Sequence, residues 1–382
     1  MLSRMANAPG TPAGRLVALD VFRGVTMASM VIVNNPGDWG HVYWPLLHAE
    51  WHGCTPTDLI FPFFLFIVGF AITLSRRSAS YGAILKRGAL LIGVGLFLAG
   101  YPRFDIHAWR IPGVLQRIGL CYLAAGALYR LLSARGGGEV PARDVGRGLL
   151  VATVACLMGY YLLQLAIPGA TGQRFDLSAE GNIGARLDRI LLAGHTWKPN
   201  WDPEGLLSTL PAIGTTLIGT IAGLRFRMAA DLASRIRSLV WLGAIAVGLG
   251  LVWSLHLPLN KSIWTSSYAA FTAGLAALFL ALSLWVIDLK GWRRPVYPFV
   301  VLGTNALALF ALSALVVKTL MRIKVTWSDG ALIGSHTYLY RAWVEPLFAS
   351  PYNASLAYAV VNLVVLYGVL WVMYKRGIFV KV

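Results

Sequence analysis

Charge is scarce in this chain: of 382 residues, 13% are Asp, Glu, Lys or Arg, about half the share found in a soluble domain. That scarcity excludes a cytosolic enzyme. Acidic residues are the rarer kind, 16 against 33 Lys and Arg, which leaves a net charge of +17. In a soluble protein such an excess points to nucleic acid. Here the basic residues fall between long apolar segments rather than on one polar face, which is the bias that orients membrane helices, and no nucleic-acid partner is expected. Cysteine is nearly absent too. Cys54, Cys121 and Cys156 are too scattered for a disulfide framework and lack the paired spacing of a metal site, so neither a redox role nor a metal is expected. The apolar stretch behind the small, polar residues 1–16 is interrupted early by Asp20 and Arg23, so the first span is expected to be retained rather than cleaved.

What the chain has instead is apolar length, with 57% hydrophobic residues. A bilayer core takes about 20 residues of helix. Ten runs of that kind lie at 17–35, 56–75, 84–101, 112–133, 146–167, 205–224, 236–255, 265–287, 296–321 and 354–374. Segment 332–349 carries His336, Arg341 and Glu345, and is expected to be a helix that lies at the surface or dips into the protein. The predicted fold class is therefore all-α: a polytopic integral membrane protein of about ten transmembrane helices, with one membrane domain over 17–382 behind a tail of 1–16.

An even number of spans puts both termini on one side. That side collects Arg76, Arg77, Lys86 and Arg87, then Arg135, Arg143 and Arg147, then Arg225, Arg227, Arg235 and Arg237, then Lys290, Arg293 and Arg294. With the basic residues of the two tails, these account for nearly the whole excess, and the positive-inside rule makes that side the cytoplasm. The opposite side receives three loops. Loop 36–55 has no Lys or Arg but holds His41, His48, Glu50 and His52; loop 168–204 is mixed in charge and aromatic; loop 322–353 exceeds what a turn needs.

The densest set of chemical groups runs from Asn34-Asn35-Pro36 through His48-Ala49-Glu50-Trp51-His52-Gly53 to Thr55 and Asp58. Imidazole is the side chain that titrates near neutrality, so it serves as base or nucleophile, and a carboxylate on its other nitrogen fixes the tautomer. The pattern alone leaves His48 open as a solvated loop residue or a catalyst, and Asp58 as a helix cap or the orienting carboxylate, two roles that are compatible. His41 and His52 read as neighbours in an aromatic belt. Ionisable groups inside spans are expensive and point to function: Asp20 and Arg23 are spaced for an ion pair, Gln116 and Arg117 sit near the start of the fourth span, and Asn305 lies mid-span in the ninth. Each also fits the role of polar glue between helices.

Six ordered motifs carry a family resemblance. They are Leu19-Asp20-Val21-Phe22-Arg23-Gly24, His48 to Gly53, Asp58 to Phe64, Leu115-Gln116-Arg117-Ile118, Asp202 to Thr209 and Asn260 to Ser267. Together they resemble the heparan-alpha-glucosaminide N-acetyltransferase family. The resemblance implies a membrane acyltransferase that takes acetyl-CoA from the cytoplasm and acetylates the amino group of a glucosamine-type sugar on the far side, in a bacterial inner membrane, with a homodimer as a compatible assembly. It implies His48, Asp58 and Asn34 as catalytic residues. Trp51, Asp202, Glu204, Trp264, Gln116 and Arg117 are the expected contacts to substrate. Two readings compete: a carrier for N-acetylglucosamine or a related amino sugar, and an O-acetyltransferase acting on an envelope polysaccharide.

Overall fold

The computed structural model describes residues 16–75, 80–134 and 140–380. Arg76, Arg77 and Arg135 of the charge argument lie outside the described residues. By its contacts the chain forms two compact units, one of residues 1–47 with 282–382 and one of residues 48–281.

The unit of residues 48–281 is a helical bundle. A 3-10 turn, Pro56–Leu59, leads into α2 (Ile60–Leu74), followed by α3 (Tyr81–Gly100), α4 (Val114–Ser133), α5 (Ala142–Ala166), the short amphipathic α6 (Ile183–Leu191), α7 (Thr209–Met228), α8 (Leu232–Ser254) and α9 (Ser266–Ser283). At its centre α2 crosses α7 backbone to backbone. A Cβ on Gly69 would lie 1.9 Å from the carbonyl oxygen of Thr216, and one on Gly219 would lie 2.2 Å from that of Phe66. Small residues let helices approach closely where lipid offers no hydrophobic drive to associate. Around this crossing Ile72, Ile84, Tyr122, Leu149, Leu217 and Ile221 form a continuous apolar core.

The unit of residues 1–47 and 282–382 contains α1 (Val17–Asn34), the bent pair α10 (Tyr297–Thr304) and α11 (Ala306–Arg322), a hairpin of β1 (Lys324–Thr326) and β2 (Leu332–Gly334), the short α12 (Ser335–Leu339) and α13 (Pro351–Lys375). In the antiparallel hairpin Val325 faces Ile333. Segment 332–349 is not a span, as its polarity predicts, but it is not one helix either: it opens as strand β2 and continues in short helical turns. Asp20 and Arg23 do meet, at 3.3 Å.

Ten helical segments occupy the ten apolar runs, but only seven pass as spans on length and composition, or eight if α10 and α11 count as one. The bend between those two is 81° and sits at Asn305, whose amide nitrogen donates to the Ile378 carbonyl at 3.0 Å while its oxygen accepts from the Val380 N–H at 2.9 Å. The side chain at the bend thereby anchors the C-terminal tail. The two helices that fail are α4, with Gln116, Arg117 and Arg130, and α7, with four threonines and two arginines. Their polar groups meet protein: Gln116 and Arg117 of α4 are buried, as are all four threonines of α7. Thr216 and Thr220 return their hydroxyl protons to the carbonyls of Ala212 and Thr216, at 3.1 and 3.0 Å, which makes buried polarity tolerable.

Candidate active site

The connections of the second unit sort by end. Those joining α3 to α4, α5 to α7 and α8 to α9 gather where α2 begins, while the basic residues Lys86, Arg87, Arg130, Arg143, Arg147, Arg225, Arg227, Arg235 and Arg237 sit at or near the other end of their helices. At that other end the guanidinium of Arg227 donates to the carbonyl of Thr73 and the hydroxyl of Tyr129.

The loop before α2 is shaped by Asp58 and Gly53. Asp58 Oδ2 accepts from the backbone N–H of Ala49, the backbone N–H of Thr55 and the Thr55 hydroxyl, each at 3.0 Å. That closes a capping box around the turn into α2. Gly53 has φ +115, a conformation a Cβ would strain, and its N–H donates to the carbonyl of Leu259 at 2.8 Å. Loop 48–55 is thereby docked onto loop 255–265.

Asp58 Oδ1 is left to face His48, 2.7 Å from its Nδ1. A carboxylate can only accept, so Nδ1 carries the hydrogen and the Nε2 lone pair is directed away. Asp58 is 1% exposed while the His48 side chain is 51% exposed: the anchor is buried and the reacting edge is open. The two roles left open by the pattern, helix cap and orienting carboxylate, fall to different oxygens of one side chain: Oδ2 caps the turn and Oδ1 holds the His48 ring.

A third group joins them that sequence reasoning quoted in a motif but assigned no role. Lys261 Nζ lies 2.9 Å from His48 Nδ1, 3.1 Å from Nε2 and 3.8 Å from Asp58 Oδ1. Burial pulls its pKa below the ordinary lysine value, against the pull of Asp58, Glu204 and Cys54. The available signal was its place in the motif Asn260 to Ser267, where it is the one charged residue. Asn260 beside it is fully buried, its oxygen accepting from Ile263 N–H at 3.0 Å and its amide meeting His52 Nδ1 at 3.4 Å. Burial lowers the His52 pKa.

The expected substrate contacts divide. Trp51 donates its indole N–H to the Leu177 carbonyl at 2.9 Å and packs edge-on against Trp201, so it ties the loop before α2 to loop 168–204. Asp202 and Glu204 both pair with Arg110, which bonds Asp202 in a fork at 2.8 and 2.7 Å and also reaches Glu204. Arg110 was missed because its loop carries no motif. Trp264 is fully buried at φ +49, pinned by Phe61, Tyr268 and a bond to the Thr215 hydroxyl at 3.1 Å. Arg117 lies over its ring and donates to the Gly205 carbonyl and Ser208. Gln116 is buried next to it. A narrow recess beside these groups is lined by Tyr160, Asn182, Asp188, Trp201, Asp202, Ser208 and Ser262. Asn34 stands exposed at the end of α1, in the other unit. Among the described residues no three His, Cys, Asp or Glu side chains are grouped as metal ligands.

Residues 15–135, which hold His48 and Asp58, match the family profile described as heparan-alpha-glucosaminide N-acetyltransferase, catalytic. The chain is also 31% identical to the protein of that name from Homo sapiens and 30% identical to the one from Mus musculus, over 78% of its own length in both alignments. It belongs to the heparan-alpha-glucosaminide N-acetyltransferase family. The chain spans about half the length of these relatives, 52% of the human and 53% of the mouse protein. The family's catalytic profile also takes in Asn34, Trp51, Arg110, Gln116 and Arg117, while Asp202, Glu204, Lys261 and Trp264 lie beyond its matched residues.

Proposed function

We propose that this family member is a membrane acetyltransferase. It moves the acetyl group of cytoplasmic acetyl-CoA to the amino group of a glucosamine-type sugar on the opposite, periplasmic side of an inner membrane. One observation carries the reading: the 2.7 Å bond between His48 and a buried Asp58, on the stretch that matches the family's catalytic profile. The relatives' name supplies the acceptor class. The orientation is supported by the nine basic residues named above, at the end opposite His48.

The chemistry uses the Nε2 lone pair of neutral His48. It attacks the thioester carbonyl, the C–S bond breaks, and the acetyl group rests on the imidazole until the sugar amine takes it; or it removes the proton of an amine that attacks the thioester directly. In either route positive charge grows on the ring, and Asp58 stabilises it while holding the tautomer. Lys261 shares the ring and the carboxylate, so its charge state sets how far the lone pair is available. Trp51, Trp201 and the recess that Asp202 lines offer the aromatic and polar surface a sugar ring needs, and the pairing of Asp202 and Glu204 with Arg110 keeps that wall in place.

Acetyl transfer from acetyl-CoA to a panel of amino sugars by the purified protein tests the reading. Wild type yields N-acetylated sugar, and His48→Ala, still folded and in the membrane, loses about a hundredfold or more of the rate. Full activity in that variant overturns the assignment. Movement of labelled N-acetylglucosamine into proteoliposomes with no acetyl donor identifies a carrier instead, and acetyl on a sugar hydroxyl identifies an O-acetyltransferase.

A further inference from the structure

The chain contains a primary amine at the place where the acceptor's amine must react. Lys261 Nζ stands 3.1 Å from His48 Nε2 and 2.9 Å from Nδ1. An atom that near to both ring nitrogens cannot lie in the ring plane without overlapping a ring carbon, so Nζ lies over the face. An acetyl group on Nε2 is coplanar with the ring by conjugation, and its carbonyl carbon is open to attack from above or below that plane. The lysine therefore occupies the attack direction, at the separation of a near-attack arrangement. Its backbone is fixed there: Trp264 N–H donates to the Lys261 carbonyl at 3.1 Å, and Thr265 N–H to that of Asn260 at 3.0 Å. Asp58, Glu204 and Cys54 face the amine electrostatically, His48 contacts it, and His52 neighbours it through Asn260.

We propose that Lys261 is an internal acetyl acceptor: when no sugar is bound, the acetyl group activated at His48 passes to Lys261 Nζ, giving a stable amide that fills the acceptor position and shuts the site. The proposal rests on the acetyltransferase reading. In the transfer a C–N bond forms between Nζ and the acetyl carbon as the bond from that carbon to Nε2 breaks. The proton shed by the amine is balanced by the one that the departing thiolate of acetyl-CoA takes up. The net reaction converts one thioester and one lysine amine into one acetamide and one free thiol. Burial, by lowering the lysine pKa, supplies the neutral amine that attack requires. The modification is self-limiting, since the acetamide nitrogen is no longer nucleophilic and carries no charge to meet Asp58.

The purified full chain, incubated with acetyl-CoA and no sugar and then digested, tests this by peptide mass spectrometry. One acetyl group is expected on Lys261, accumulating as the capacity to acetylate glucosamine falls. Exposed Lys198, held over Trp197, serves as internal control and stays unmodified. Added glucosamine slows the modification in the wild-type protein itself, so the result does not depend on a variant folding. His48→Gln reduces it about a hundredfold, and Lys261→Arg abolishes it. A preparation that acetylates glucosamine while Lys261 stays free overturns the proposal and leaves the enzyme reading intact. Equal labelling of Lys261 and Lys198, or wild-type labelling in His48→Gln, overturns it as non-enzymatic. A preparation that acetylates neither sugar nor lysine overturns both.

Discussion

Asp58 divides its work between two oxygens, Oδ1 toward His48 and Oδ2 toward Ala49 and Thr55, and the two jobs separate by mutation. Thr55→Ala removes the hydroxyl arm of the capping box. It should cost about 1 kcal/mol of stability, read as a lower melting temperature in detergent, while acetyl transfer stays within severalfold. Asp58→Asn keeps the shape but loses the charge that supports the imidazolium, so the transfer rate should fall about a hundredfold or more. Comparable losses of rate in both variants would mean that the loop geometry and not the carboxylate carries the effect. A second carboxylate gives a pH signature. Asp188 is 2% exposed, and burial pushes its pKa up to about 6, against the bond it accepts from Leu206 N–H. A raised carboxyl pKa means that the folded chain holds its proton more tightly than the unfolded chain. Stability therefore declines as pH climbs from the unfolded value near 4 to about 6 and stays at the lower level above it. The full penalty is about 3 kcal/mol. Melting temperatures between pH 4 and 7 should show this decline in the wild type, and a flatter profile in Asp188→Asn.

Among the helices, glycine positions that look alike in sequence differ in what surrounds them. A methyl on Gly69 meets the Thr216 carbonyl at 1.9 Å, whereas Gly93 and Gly159 have nothing within 4 Å. Gly69→Ala should force α2 off α7 and cost about 1–3 kcal/mol. Gly93→Ala and Gly159→Ala should be neutral or stabilising by up to about 1 kcal/mol, because alanine loses less entropy in a helix. Similar melting temperatures for all three would refute the crossing. The same contrast explains what the sequence made legible. Apolar length located every long helix but not the short α6 and α12, and one pass along the chain brought His48 and Asp58 together because they are ten residues apart. Lys261 was out of reach because 213 residues separate it from His48 and the two loops meet only through tertiary contacts, among them the docking of Gly53 on Leu259. The failure of α4 and α7 as spans has a related cause: their polar side chains are answered by distant partners that hydropathy does not see, Arg117 by Gly205 and Ser208, and Arg227 by Thr73 and Tyr129.

At the scale of the molecule, an excess of +17 is an orientation signal only if it is segregated by side. In the unit of residues 48–281, the carboxylates of the His48 end have partners close by, Asp58 in His48 and Lys261, and Asp202 and Glu204 in Arg110. The basic end has no comparable set of acidic partners among the described residues; Asp144 meets Arg147 at 3.3 Å across an exposed surface, a pairing worth little. The local imbalance therefore persists at one end, where the membrane can act on it. Cysteine labelling in intact cells tests the consequence. The native thiols give a quiet background, since burial pushes Cys54 up to about 12 and keeps it protonated, while Cys121 is buried. Glu50→Cys, exposed beside His48, should react with a membrane-impermeant maleimide in intact spheroplasts. Arg237→Cys, exposed at the basic end, should react only after permeabilisation. The reverse pattern would put His48 on the cytoplasmic side, where acetyl donor and catalytic histidine share one compartment and transfer of acetyl across the membrane has no place in the reaction.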